Sequence, residues 1–287
     1  MMNRRKFLAS LPAIGFSTNL RSNRFLAEDD ASICTKKFEM AVSLKLQKLP
    51  IGDGVVEIGK TFVGTEYAAN ILEVPGEERL VVNMSGLDCV TFYENALVLA
   101  RCMKKNKMTF DDYKNELQFI RYRGGVINQY PSRLHYTSDY MFDNEKKKVW
   151  KNITKDIGGV RYKKAVNFMS THPDSYRQIR ENPGFLKAIQ EQEKEINSRE
   201  MYHIPKHLVS GISDKLNNGD IIGITTDMEG LDTSHTGVVM RENGAAYFLH
   251  APLAGRKVTI SEKPLAGYLA GNKKQIGIMV ARPLEPS

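Results

Sequence analysis

Residues 83–103, NMSGLDCVTFYENALVLARCM, decide how this chain is read. Asn83, Ser85 and Gly86 are turn formers, and they lead into the pair Asp88-Cys89. Behind that pair Val90, Phe92, Ala96, Leu97, Leu99 and Ala100 recur at helical spacing. The stretch therefore predicts a loop that delivers Cys89 to the first turn of a buried helix. A thiol there feels the positive end of the backbone dipole, which favours the thiolate and lowers a pKa of about 8.5 in a free cysteine. Cys89 is thus a candidate nucleophile. Packing is the commoner role of a lone cysteine near an apolar helix, so a base and an orienting group must come from elsewhere in the chain. Thr91 and Glu94, polar positions inside the same helix, have no evident role.

The texture changes after residue 205. Asn217-Asn218-Gly219 turns into the apolar run DIIGITT (220–226). SHTGVVMR (234–241), the turn signal Asn243-Gly244 and AAYFLHA (245–251) read as a hairpin, and QIGIMVARP (275–283) adds a strand. Strands this close together predict a meandering antiparallel sheet behind a helical first half, an α+β fold. With a two-residue turn at Asn243-Gly244, strict pairing sets His250 beside Gly237, two positions from His235. Two rings at one end of a hairpin can serve a cysteine: one takes the thiol proton, the other fixes its tautomer and orientation. Either histidine alone would be ordinary. His135, His172, His203 and His207 lack such a context, and Pro205 breaks the helix that a metal pair at His203 and His207 would need. No metal and no cofactor is expected.

The first half reads as helices. TKKFEMAVSLKLQKL (35–49) has Phe38, Val42, Leu46 and Leu49 at helical spacing before Pro50. Residues 55–63 predict a short helix or turn, followed by the loop Gly64-Thr65-Glu66-Tyr67 and an extended stretch over 71–82. Thr109 caps a helix with Asp111 and Asp112 in its first turn and Arg121 in its last, stopped by Gly124-Gly125. Residues 126–143 show no period and carry aromatic and hydrogen-bonding side chains, which suits either a site-lining loop or surface padding. The segment 144–204 is rich in lysine and glutamate, with a polar helix over 183–199, and reads as a helical insertion or lid.

Of the net +8 charge, five lysines and arginines lie in residues 1–27, which hold no acid. That stretch pairs Arg4-Arg5 with an apolar run from Phe7 to Phe16, resembling a twin-arginine export signal. The expected organisation is a signal over 1–27 and one catalytic domain over 28–287, exported to the periplasm. The apolar run is too short for a stable membrane span, and the remaining charge is too small for a nucleic-acid footprint. Three cysteines are an odd count without metal-knuckle spacing, and a Cys34–Cys102 disulfide stays open.

Asp88-Cys89, Asn218-Gly219-Asp220, His235-Thr236-Gly237-Val238 and Leu249-His250-Ala251, in that order, resemble the NlpC-type papain-like cell-wall amidases and peptidases over residues 60–285. The resemblance implies a papain-like fold, with N-terminal helices packed on a C-terminal antiparallel sheet plus a helical insertion. It implies Cys89 as nucleophile, His235 as general base and acid, His250 as the group that orients His235, and peptidoglycan or a soluble muropeptide as substrate. Gly64-Thr65-Glu66-Tyr67 resembles that family's Gly-x-x-Tyr, which implies an oxyanion role for the Tyr67 hydroxyl. The family usually reads Asp-Cys-Ser-Gly where this chain has Asp-Cys-Val-Thr. With the long insertion and the Ser132–Tyr136 loop, this is similar to the N-acetylmuramoyl-L-alanine amidase branch. That branch implies cleavage of the muramoyl–L-alanine amide, with or without a 1,6-anhydro sugar end, through a thioester. Arg133 (for a peptide carboxylate), Tyr136 (for stacking) and Asp88 are the substrate-binding candidates, a helix cap being the stronger reading of Asp88. The alternatives are a γ-D-glutamyl-diamino-acid endopeptidase, an acyltransferase, and a non-catalytic peptidoglycan-binding module.

Overall fold

The computed structural model describes residues 29–286, so the export-signal reading of 1–27 lies outside the described residues. Helix α1 (Asp30–Ser43) starts at Asp29, whose carboxylate accepts the Ser32 N–H, and turns its Cys34, Phe38 and Ala41 face inward. It begins and ends earlier than its apolar period predicts, because Lys45 adopts a left-handed conformation (φ 56) before a single 3-10 turn at Leu46–Lys48. Pro50 opens α2 (Ile51–Lys60) rather than merely ending its predecessor. A two-residue strand β1 (Glu66–Tyr67) pairs in parallel with β2 (Gly86–Leu87), which runs straight into α3 (Cys89–Lys104). Helix α4 (Phe110–Arg121) has the Thr109 cap expected of it.

Within 126–143, where no period is legible, the chain forms a 3-10 turn at Tyr130–Ser132 and enters α5 (Thr137–Lys146). The 144–204 segment is not purely helical. It carries strands β3 (Trp150–Asn152) and β4 (Val160–Arg161), helices α6 (Phe168–Thr171), α7 (Arg177–Glu181) and α8 (Gly184–Ser198), and strand β5 (Tyr202–Pro205). Helix α8 is polar outside, but Ile189 and Ile196 join Tyr130, Tyr136, Val166, Met169 and Ile179 in a separate apolar cluster.

Strands β6 (Ile221–Thr226), β7 (Thr233–Glu242), β8 (Ala245–His250) and β9 (Thr259–Ile260), helix α9 (Leu265–Ala270) and strand β10 (Gln275–Pro283) complete the chain. The main sheet runs β4-β5-β10-β6-β7-β8-β9, with β3 also paired to β10 and every pairing antiparallel. Asn243 (φ 50) and Gly244 (φ 80) make the tight turn between β7 and β8, both in the left-handed region that such a hairpin requires. The register follows: Glu242 faces Ala245, Met240 faces Tyr247 and Val238 faces Leu249, so His250 falls beside Gly237 as the turn arithmetic predicts.

Strand alternation sorts the core. Val238, Met240, Leu249 and Ala251 pack with Phe92, Ala96, Leu97 and the apolar faces of α1, α2 and α4. Ile222, Ile224, Val239, Phe248 and Ile278 point the other way, onto Leu265 and Leu269 of α9 and Val209 and Ile212 of a 3-10 segment. The molecule is a mixed α/β layering, helices on one face of an antiparallel sheet and a thin cover on the other. Among the described residues no helix is long and apolar enough to cross a membrane.

Candidate active site

Cys89 is the first residue of α3, and its placement is fixed by a closed capping box. The Asp88 carboxylate accepts the N–H groups of Val90 (3.0 Å) and Thr91 (2.8 Å) and the Thr91 hydroxyl (2.8 Å). Thr91 Oγ1 in turn accepts the Asp88 N–H at 3.0 Å. This gives Thr91 its role and corrects the substrate-binding reading of Asp88, since its carboxylate is engaged by the Val90 and Thr91 N–H groups and the Thr91 hydroxyl. Loss of the cap in Asp88→Ala is expected to cost about 1 kcal/mol, measured by urea unfolding. A variant of unchanged stability but raised KM would instead make Asp88 a substrate contact.

Three chain segments converge on the half-buried Cys89. The β1–β2 ladder sets Tyr67 opposite Leu87, two residues before Cys89. The Tyr67 phenol is pushed up to about 12 by burial, then by the charges of Cys89 and Asp88, so it remains a donor at neutral pH within electrostatic reach of the thiol. From β7, Thr236 draws the Cys89 thiol pKa down, against the larger effect of burial. Thr236 directly follows His235, whose Nε2 lies 2.7 Å from His250 Nδ1. Gly237 makes that approach possible: a Cβ there would stand 2.8 Å from the His250 Cβ and 2.7 Å from the Leu249 carbonyl oxygen.

Aromatic rings, which sequence reading missed, enclose the histidine pair. Phe248 stacks on His250 at 4.6 Å, and Tyr268 meets His250 edge-on at 5.0 Å and 77°. Tyr268 also lies within electrostatic reach of Cys89. Alternation along Phe248-Leu249-His250 puts the phenyl on the imidazole's face and was legible; Tyr268 comes from a six-residue helix with no sequence signal.

Electrostatics here depart from the dipole argument. Burial pushes the Cys89 thiol up to about 11, with Asp88 adding in the same direction, against the hydrogen bonds from Thr236. Burial holds His235 and His250 below the usual histidine range, and for His250 the neighbouring His235 adds to it. A neutral thiol beside neutral imidazoles can exchange a proton as a bond forms, whereas a standing thiolate–imidazolium pair would need the opposite order of pKa values.

Two further expectations are corrected. Arg133 is 3% exposed and closed into the protein: it donates to the Leu72 carbonyl (2.7 Å) and Glu73 (2.6 Å), lies 3.7 Å from Glu78, and so anchors the 71–79 stretch. A guanidinium so buried and already paired with carboxylates is not presented to a substrate carboxylate. Tyr136 is 5% exposed within its apolar cluster, its hydroxyl donating to Glu193 (2.7 Å) and accepting the Met169 N–H (2.8 Å), so the ring is buried and not presented for stacking. Cys34 and Cys102 are buried free thiols, the latter donating to the Asp112 carbonyl oxygen. Two cavities of about 640 and 570 Å³ adjoin through Asn128, Gln129, Asn182 and Phe185, and neither is lined by Cys89 or the histidine pair. Among the described residues no cluster of histidine, cysteine and carboxylate side chains could hold a metal ion.

The AmiA-like family model, described as N-acetylmuramoyl-L-alanine amidase-like, matches residues 57–278. The chain is similar to the crystal structure of an N-acetylmuramoyl-L-alanine amidase from Bacteroides uniformis, at 30% identity and TM-score 0.77, over 81% of this chain and 98% of that one. It is also similar, at 35% identity and TM-score 0.73, to a Bacteroides fragilis protein described only provisionally as a xylanase, over 78% of this chain and 98% of that one. A Legionella pneumophila protein at 22% identity and TM-score 0.68 shares the fold, over 88% of this chain and 94% of that one. No curated protein matches the sequence.

Proposed function

From the membership of this chain in the N-acetylmuramoyl-L-alanine amidase-like family, we propose that it is a papain-like cysteine amidase that hydrolyses the muramoyl–L-alanine bond of peptidoglycan fragments. The observation that carries the cysteine mechanism is the 2.7 Å His235 Nε2–His250 Nδ1 hydrogen bond, made from the strand that packs against the helix opened by Cys89. With the ring proton on His235 Nε2 donated to His250, His235 Nδ1 is left as the base. As Cys89 Sγ bonds to the lactyl carbonyl carbon, its proton passes to that nitrogen. The oxyanion is met by the Cys89 N–H at the helix start and by the Tyr67 hydroxyl. Collapse breaks the C–N bond, and the L-alanine nitrogen leaves with the proton from His235. Water then attacks the thioester, again giving its proton to His235, and frees the acid and the thiol. Export through the Arg4-Arg5 segment would deliver the enzyme to such substrates.

The test is the product spectrum from defined muropeptides, with and without a 1,6-anhydro end. This reading requires intact stem peptide released from intact sugar. Cleavage inside the peptide would replace it with the γ-D-glutamyl endopeptidase reading, and no turnover with the binding-module one. A xylanase needs two carboxyl groups flanking the scissile bond. The carboxylate beside Cys89 is Asp88, committed to its cap, so xylan is expected to remain uncut.

The pH profile follows from the same groups. Burial lowers His235 from 6.5 to about 4, so its base form persists into acid, and the thiol, raised to about 11, stays neutral. The kcat/KM profile should therefore stay level from about pH 5 to about pH 9, its acid limb lying well below the ordinary histidine value of about 6.5. An acid limb at that ordinary value would rule out a buried neutral His235 as base.

A further inference from the structure

We propose that Thr236 is a positioning residue for Cys89, its buried hydroxyl and main-chain N–H cradling the sulfur and bonding to it as negative charge develops. The inference deepens the proposed cysteine mechanism and rests on Cys89 being its nucleophile.

Strand geometry places the hydroxyl first. Along β7, Val238 and Met240 point into the helical core and Val239 points into the opposite one. Alternation then aims Thr236 at the helical side, one step beyond Val238. On that side a Cβ at Gly59 would touch both Leu249, the cross-strand partner of Val238, and Phe92 and Ala96 of α3. Three residues back from Phe92 is Cys89, a rise of about 4.5 Å, and one same-face step back from Val238 is Thr236, about 6.6 Å. Both steps are short along the packed α3–β7 face, which sets the Thr236 side chain toward the start of α3.

The hydroxyl is also unspent. Thr236 is 3% exposed, and its Oγ1 makes no well-formed hydrogen bond among the described residues. Buried hydroxyls are nearly always paired in folded proteins, and an exception calls for a reason. A donor aimed at a sulfur that is neutral at rest has one: a thiol is a weak acceptor, whereas a thiolate is a strong one. Thr236 already draws the thiol pKa down, through both its side chain and its N–H, against the larger effect of burial. The other groups around the sulfur act oppositely or not at all as donors of charge: Asp88 disfavours the thiolate, and Tyr67, Tyr93 and Tyr268 carry neutral phenols. Thr236 offsets them together with the main-chain N–H of Cys89, and of these it supplies the side chain. The departure is specific to side-chain chemistry, because valine would fill the same volume on β7 with no hydroxyl.

The experiment compares Thr236→Val, Thr236→Ala and Thr236→Ser with the full-length parent protein. Iodoacetamide alkylation of Cys89 is followed by mass across pH, with Cys34 and Cys102 as buried internal controls. Removing the hydroxyl in Thr236→Val is expected to move the alkylation profile toward alkaline pH, slowing the reaction about tenfold at fixed pH below the midpoint. Thr236→Ala should do the same where valine is not accommodated, and Thr236→Ser should restore the parent profile. On muropeptide, Thr236→Val should lower kcat with KM little changed, since the bond matters as charge forms. Profiles of both Val and Ala variants superimposing on the parent would overturn the proposal. Alkylation needs no substrate, so it decides the role of Thr236 even if the parent protein cleaves no muropeptide, which would count against the amidase reading instead.

Discussion

Cys89→Ala is expected to abolish muropeptide cleavage, lowering kcat by about 10⁴-fold or more, because the thioester route then has no attacking atom. The fold should be untouched: the side chain is short, half-buried, and the cap at the start of α3 belongs to Asp88 and Thr91. Cys89→Ser is the sharper comparison. It keeps a hydroxyl in place, but a neutral, buried histidine holding its base form to about 4 is a poor match for an alcohol of far higher pKa. Serine should therefore lose nearly as much as alanine. The measurement is single-turnover release of stem peptide by mass spectrometry, together with trapping of the acylated protein on acid quench. The parent should carry a sugar-acid adduct on Cys89 that neither variant shows. Retention of even a tenth of parent turnover in Cys89→Ala would end the cysteine mechanism and return the histidine pair to a structural role.

Much of this site was legible because it rests on local rules. A turn-rich loop before an apolar helix places Cys89 at α3's first position, and a two-residue Asn-Gly turn fixes register, so His250 had to lie beside Gly237 and near His235. What stayed illegible depends on distant partners. The parallel β1–β2 contact that carries Tyr67 toward Cys89 joins residues twenty apart through two-residue strands, too short to leave a period. Arg133 and Tyr136 read as binding groups from a loop of aromatic and polar residues. Their burial comes from Glu73 and Glu193, carboxylates roughly sixty residues away in either direction. Charge and aromaticity identify what a side chain can do but not which neighbour claims it first. The thiol pKa failed for a related reason. The dipole at a helix start is a sequence property, while the desolvation that outweighs it belongs to the packed molecule.

Arg121→Met is expected to remove about 3–5 kcal/mol of stability, the cost of leaving a buried carboxylate without its countercharge. Glu94 is fully buried on α3, and its role, invisible in the helix pattern, is to receive Arg121 from α4 at 2.6 Å through Nη2 and at 3.1 Å through Nε. The Tyr140 hydroxyl of α5 donates to the same carboxylate, and Arg121 Nη1 reaches the Val81 carbonyl. One ion pair thus ties three helices to the stretch that feeds the Asp88 cap. Truncating the cation keeps the volume but strands the anion, which must take up a proton or admit water; either raises the free energy of the folded state relative to the unfolded one. The double variant Arg121→Met with Glu94→Leu removes both charges, and should recover most of the loss, leaving chiefly the unpaired Tyr140 hydroxyl. Urea midpoints for the parent, both single variants and the double close the cycle. A single Arg121→Met variant within about 1 kcal/mol of the parent would mean that Glu94 is relieved by other donors. Because α3 also sets Cys89, the cleavage rate of Arg121→Met separates the two roles of that helix. Lost stability with preserved kcat assigns the pair to holding the fold, whereas a parallel loss of kcat shows that the helix start moves when its buried end is loosened.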